Sequence, residues 1–260
     1  MSFEIIDFHT HPFLGDFGNI CQHQRLLSLR TEQIREQMEA LGISKICGSA
    51  LRRRTEGEDD WERLKKNNED ALRLREILGD FYIPGFHIHP DHVEESIREI
   101  ERMHKEGVHL LGEIVPWSAN WSENAGEGLS ILFDEAEKYG MVVSFHNDDN
   151  FLTDDLIRRH QNLTLVVAHP GEKPALLRHL ERARLSKNYY LDLSGTGLFR
   201  YGMLETAVKE MGADHILFGT DYPVCTPGMY VGGVMHDPYL TNEEKALIFS
   251  GNAKRLLGLA

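Results

Sequence analysis

Cysteine is scarce in this 260-residue sequence: Cys21, Cys47 and Cys225 form an odd, widely spaced set with no CxxC pair. That excludes a disulfide framework and suits a reducing compartment. Long apolar runs are missing too, and nothing approaches the roughly 18 uninterrupted apolar residues needed to cross a bilayer. The opening MSFEIIDFHTHPF has no basic region ahead of an apolar core, so it does not read as a secretory signal, and a cytoplasmic location is expected. Positive charge is in deficit, with 28 Lys and Arg against 41 Asp and Glu, a net −13. A surface of that sign repels phosphate backbones and anionic lipid, so neither nucleic acid nor a membrane is expected as a partner. No GxGxxG follows the first apolar run, which weighs against a dinucleotide-binding sheet.

What the chain does have is apolar content and a recurring pattern. At 41% hydrophobic and 27% charged residues it can bury a full core as one domain over residues 1–260. Eight short apolar runs recur: Phe3–Phe8, Lys45–Ser49, Phe81–Phe86, His109–Val115, Met141–Phe145, Leu163–Ala168, Tyr189–Leu193 and Ile216–Phe218. They lack polar alternation, as parallel strands buried on both faces do. Helix-period segments separate them, over Thr31–Leu41, Asp60–Leu78, His92–Lys105, Leu129–Tyr139, Thr153–His160, Pro174–Leu185 and Tyr201–Met211. Another, Asn242–Leu257, closes the chain. Strict alternation predicts an α/β fold with parallel strands and right-handed crossovers. Eight units in a chain near the usual length of about 250 residues favour a closed (β/α)8 TIM barrel over an open sheet.

Strand ends converge on one mouth of such a barrel, and active sites sit there. The first run ends in His9-Thr10-His11, and the fourth carries Glu113 near its end. The fifth ends in His146, the sixth in His169 and the eighth in Asp221. Imidazoles at 9 and 11 point to one face of an extended chain, so their neutral nitrogens can share one divalent ion while Asp221 offsets charge. A single HxH is a weak signal, and His87-Ile88-His89 is a second one. Ligand types on several strand ends at once are a much stronger one.

The motifs DFHTH (Asp7–His11), His146, AHPG (Ala168–Gly171), FGTDYP (Phe218–Pro223) and GNAKRLLGL (Gly251–Leu259) are similar to those of the amidohydrolase superfamily. Specifically, the chain resembles its amidohydrolase-related branch, which includes enzymes like aminocarboxymuconate-semialdehyde decarboxylase. The resemblance implies that His9, His11, His146 and Asp221 bind or adjoin a divalent metal, with Asp221 moving the proton of the attacking water. It implies that His169 is either a ligand of a second ion or an acid/base beside the first. The GEI context of Glu113 resembles TatD-like metal hydrolases, where an acid after the fourth strand bridges two ions. Its alternative is a glutamate salt-bridged or capped inside the barrel. One or two ions are therefore expected, zinc first, with manganese, nickel or iron satisfying similar ligands.

The expected reaction is hydrolysis of a C–N or C–O bond, as in an amide or lactone, of a small-molecule substrate. The alternative is a metal-dependent non-oxidative decarboxylase, with His169 as the protonating acid. A barrel that binds metal without turnover is a third option. Barrels of this kind often associate, so a homo-oligomer is compatible.

Other polar residues read as structural. His109 and His215 start strands, on the stability face. His104, His160 and His179 fall on helices and are expected to be solvated, while His87, His89 and His92 are expected in a polar loop at the mouth. Among Asn147, Asp148 and Asp149, one is a candidate to orient a ligand histidine, a capped turn being the alternative. Arg52-Arg53-Arg54 reads as a solvated run before a carboxylate clamp. Trp117 and Trp121 would wall a pocket or cover the rim, and Asn252 belongs to a turn before the last helix.

Overall fold

Short Val-, Ile- and Leu-rich segments flanked by turn residues form parallel strands when helices cover them on the outside. The computed structural model describes residues 3–17, 29–52, 55–116, 119–123, 125–146 and 149–260. Cys21, Arg53, Arg54, Trp117, Asn147 and Asp148 lie outside the described residues. Eight parallel strands follow one another in chain order: β1 (Ile5–Asp7), β2 (Ile43–Ser49), β3 (Tyr82–Phe86), β4 (Leu110–Ile114), β5 (Val142–Phe145), β6 (Thr164–Val167), β7 (Tyr189–Asp192) and β8 (Ile216–Leu217). Beyond β8 the chain returns to β1: Phe8 N donates to Phe218 O at 2.8 Å, His11 N to Tyr222 O at 2.6 Å and Asp221 N to His9 O at 2.8 Å. The sheet is thus drawn round toward a barrel, as the alternation predicts.

Every strand contributes to one apolar cluster: Ile6, Cys47, Leu110, Val142, Val166, Tyr190 and Leu217 are buried together, with Ile83 packed against them. Ala253, Leu256, Leu257 and Leu259 of the C-terminal segment join this cluster at the strand starts, closing that end. Two larger clusters lie between strands and helices, one of them joining Ile5, Ile43 and Ile46 to Ile34, Met38 and Leu74. Helices α1 (Thr31–Glu39), α2 (Asp60–Leu78), α3 (Val93–Lys105), α4 (Ala125–Lys138), α5 (Asn150–Arg159), α6 (Lys173–Ala183) and α7 (Met203–Met211) fall between strands as the periodicity predicts.

The sequence reading differs from the structure in three places. A helix α8 (Pro227–Met235) follows β8, where PGMYVGGVM has three glycines and no polar stripe to signal it. The closing segment is two helices, α9 (Asn242–Ala246) and α10 (Asn252–Leu257), joined by a wide turn over Leu247–Gly251. A two-residue antiparallel pair, Asp16–Phe17 with Leu29–Arg30, stands outside the barrel sheet.

Candidate metal centre

The polar side chains at the strand ends converge. His9 and His11 follow β1, and their Nε2 atoms lie 3.3 Å apart. The loop after β8 is stitched to β1 by the bond from Asp221 N to His9 O, which brings Asp221 Oδ1 within 3.4 Å of His11 Nε2. Glu113 in β4 sits between these residues and those of β5 and β6. Its Oε2 is 3.4 Å from His9 Nε2 and 3.2 Å from His11 Nε2. Its Oε1 is 3.0 Å from His146 Nδ1 and 3.7 Å from His169 Nε2. Two groups that could hold a metal ion result, His9–His11–Glu113 and Glu113–His146–His169, with Glu113 common to both.

The ring orientations are fixed from behind. Asp192, the last residue of β7, has Oδ2 2.8 Å from His9 Nδ1. Ser194 Oγ lies 3.0 Å from His9 Nδ1 and 2.9 Å from His169 Nδ1, and donates to Asp192 Oδ1. His11 Nδ1 faces the Ser49 carbonyl at 3.3 Å. With acceptors at Nδ1, both His9 and His11 turn Nε2 toward each other and toward a carboxylate.

Such a cluster requires positive charge. Burial lowers the pKa of His9, yet Asp192 and Glu113 on either side hold it well above the usual imidazole value. Burial likewise opposes the charge on His11, but Asp221 and Glu113 bring it up to about 9. For Glu113 burial works upward, and the surrounding His9, His11 and His146 keep its carboxyl well below the ordinary range. Glu113 Oε1 is buried and makes no well-formed hydrogen bond. Two imidazole nitrogens facing one carboxylate oxygen, and two more facing the other, form a donor set that fits divalent cations.

Backbone strain marks the same place. His169 and Asp221 adopt φ of 66° and 63°, the left-handed region that non-glycine residues seldom enter. Gly195 makes room for the His169 ring, since a Cβ there would stand 2.3 Å from His169 Nδ1. A cleft of about 1090 Å³ opens on the centre, lined by His146, His169 and Asp221 and by Arg178, Phe199 and Tyr230 among others.

An amidohydrolase family model matches residues 6–259. The chain belongs to the amidohydrolase family. Solved structures agree with the amidohydrolase fold. It is similar to 5-carboxyvanillate decarboxylase from Sphingomonas paucimobilis, at 14% identity, TM-score 0.70 and 100% coverage of both chains. Dihydroxybenzoic acid decarboxylase from Polaromonas sp. JS666, solved with bound manganese, is 15% identical with TM-score 0.68, covering 98% of this chain and 97% of that one. A TIM-barrel protein of Bordetella bronchiseptica is 20% identical with TM-score 0.72, covering 98% of each chain. At these identities the likeness is one of fold. Among curated proteins no sequence matches the chain.

Elsewhere the structure corrects the sequence reading. His179 and His160 are buried rather than solvated. His179 Nδ1 meets the Tyr189 hydroxyl at 2.5 Å, and burial lowers its pKa to about 3. His160 lies between Ser130 Oγ at 2.9 Å and Asp134 at 3.2 Å. His104 is partly buried and packs on Tyr139 and His109.

His87 and His89 are buried as well, with Nε2 facing the carbonyls of Ala50 and Ala119, and His92 stacks on Trp61. Trp121 packs beside Trp61. Arg52 pairs with buried Asp70 at 3.1 Å. Asp149 caps α5, accepting from Phe151 N and Leu152 N, and Asn252 donates to the carbonyls of Ala213 and Ile216. No helix among the described residues is long and apolar enough to cross a membrane.

The sequence reading missed Asp192 and Ser194. The run YYLDLSG carries an acid near its end, the same signal that singled out Glu113.

Proposed function

We propose that this barrel is a metal-dependent hydrolase acting on a C–N or C–O bond of a small molecule, such as an amide or lactone. The division of Glu113 carries the reading, with Oε2 facing His9 and His11 and Oε1 facing His146 and His169. His9, His11 and Asp221 would hold one cation, His146 and His169 a second, with Glu113 between them. When bound, the cations would supply charge that polarises a carbonyl and eases ionisation of water. Zinc suits the imidazole-rich set, and the manganese in the Polaromonas structure supports manganese beside it.

The chain's own groups then orient and move protons. Asp192 keeps a proton on His9 Nδ1 and Ser194 spans His9 and His169, so both Nε2 atoms stay turned to Glu113. Asp221, which lines the cleft, would accept the proton of the attacking water and pass it to the leaving nitrogen or oxygen. The cleft is sized for a small molecule.

A non-oxidative decarboxylase is the second reading, and the similar structures lean toward it, because most of the named ones, five in all, are decarboxylases. There His169 would protonate the carbon that loses CO2. The shared Glu113 favours hydrolysis, since a carboxylate divided between two ligand groups suits two cations, whereas 14–15% identity carries the fold alone. Metal-loaded protein incubated with hydroxybenzoates, aryl amides and lactones separates the two. New carboxylic acid without CO2 is expected. CO2 from a benzoate, with amides and lactones untouched, overturns the proposal in favour of the lyase.

A further inference from the structure

The cleft carries a charge that the metal centre does not use. Arg178 and Arg182 of α6 line it together with His146, His169 and Asp221. A single buried carboxylate serves both guanidiniums: Asp154 Oδ1 accepts from Arg182 Nε at 2.8 Å, and Asp154 Oδ2 accepts from Arg178 Nη2. Arg182 is anchored further by donating to Asn150 Oδ1 at 2.8 Å. Arg178 is less well served. Its other partner at 2.9 Å is Glu181, whose side chain is 60% exposed, and its Nε is buried with no acceptor.

Glu181 is an exposed, solvent-screened partner and Asp154 is shared with Arg182, so Arg178 keeps a cation on this wall that is only weakly compensated, within a protein of net charge −13. A buried N–H without an acceptor is unfavourable, so an acceptor brought to Arg178 from the cleft would supply a bond that its Nε lacks. Phe151, Phe199, Val224 and Met229 line the same cleft and are exposed, an apolar surface beside a cation. Arginine's planar fork matches a carboxylate better than any other side chain does.

We propose that Arg178 is a carboxylate-binding residue of this cleft. The substrate then bears a carboxylate besides the bond that reacts, on an aromatic or aliphatic body that rests against Phe151 and Phe199. This deepens the reading above in taking the cleft as the substrate site. It holds for one cation or two, and for hydrolysis or decarboxylation.

Calorimetric titration with 3-phenylpropionate and its neutral amide tests it, on full-length protein with its cations and after chelation. The acid is expected to bind at least about tenfold more tightly than the amide in both preparations. Arg178→Gln should bring the acid down to the level of the amide without altering cation content. Arg178→Lys keeps the charge beside Asp154 and should recover part of the loss, so it decides the matter if Arg178→Gln does not fold.

Equal affinity of wild type and both folded variants for the acid overturns the proposal. So does acid binding that vanishes on chelation yet ignores Arg178, or no binding of either compound. A hydrolase reading that fails, through missing cations or release of CO2, leaves the chelated-protein titration unchanged, so the two failures are told apart.

Discussion

Replacing Gly195 with alanine should detach one half of the centre. The added Cβ would stand 2.3 Å from His169 Nδ1, 2.7 Å from Cε1 and 2.8 Å from Cγ. Ordinary contact needs about 1 Å more, so the ring must retreat by that amount. Retreat breaks the 2.9 Å contact with Ser194 Oγ and draws Nε2 away from Glu113 Oε1, already 3.7 Å distant. Gly195 also sits at φ 60°, where an alanine is strained by about 1 kcal/mol. With overpacking of about 1–3 kcal/mol, the variant should lose about 2–4 kcal/mol of stability. His9 and His11 are untouched, so one cation should remain and one should be lost. Urea unfolding and elemental mass spectrometry read the two effects. Unchanged stability with full cation content would refute the reasoning, because it would mean that His169 is not held against Gly195.

Asp192→Asn swaps the acceptor at His9 Nδ1 for a group that can donate, and should weaken cation affinity about 10–100-fold with the fold intact. Competition against a chromophoric chelator measures this, and unchanged affinity would contradict it. His87 and His179 are buried, which lowers their pKa values to about 4 and about 3. The unfolded imidazoles take up protons near pH 6.5, while the folded ones resist down to those values. Their contribution is therefore fully present above pH 6.5 and is lost as pH falls, each by up to about 1.4 kcal/mol per pH unit. Because His9 and His11 shift the other way, the test is a difference: urea unfolding in chelator at pH 7 and 5 should show a change less favourable to the wild type than to His179→Gln, and identical changes would count against it. Asn252→Ala removes the amide donor that now bonds the carbonyls of Ala213 and Ile216 at 2.7 Å each, Ala213 keeping only the Ile216 N–H. It should cost about 2–4 kcal/mol in the same assay at unchanged cation content, and a loss near zero would contradict the bonding.

Which of these features the sequence announces depends on how local they are. The barrel is legible because each strand is a short apolar run and each helix a periodic one, both written within a dozen residues. His9, His11, His146, His169 and Asp221 stand out because polar ligand types end apolar runs, and the structure brings the four histidines round Glu113 and Asp221 beside His9 and His11. Both readings kept for Glu113 fit its surroundings: it is ion-paired inside the barrel with His9, His11 and His146, and it is common to the two groups that could hold a metal ion.

The role of Asp192 is not local. It orients His9, a residue 183 positions away, only once the chain after β8 has returned to β1. His179 lies on an amphipathic helix whose polar positions ordinarily face water, and only the Tyr189 hydroxyl beneath α6 turns it inward. Helix α8 escaped because glycine-rich apolar sequence carries no period to read.

The most direct test of the centre is the cation content of full-length protein purified without chelator, beside Glu113→Gln. The proposed bridge requires two equivalents per chain in the wild type and a loss of at least one in the variant. No bound cation after refilling with zinc or manganese, or content unaffected by Glu113→Gln, would contradict the account.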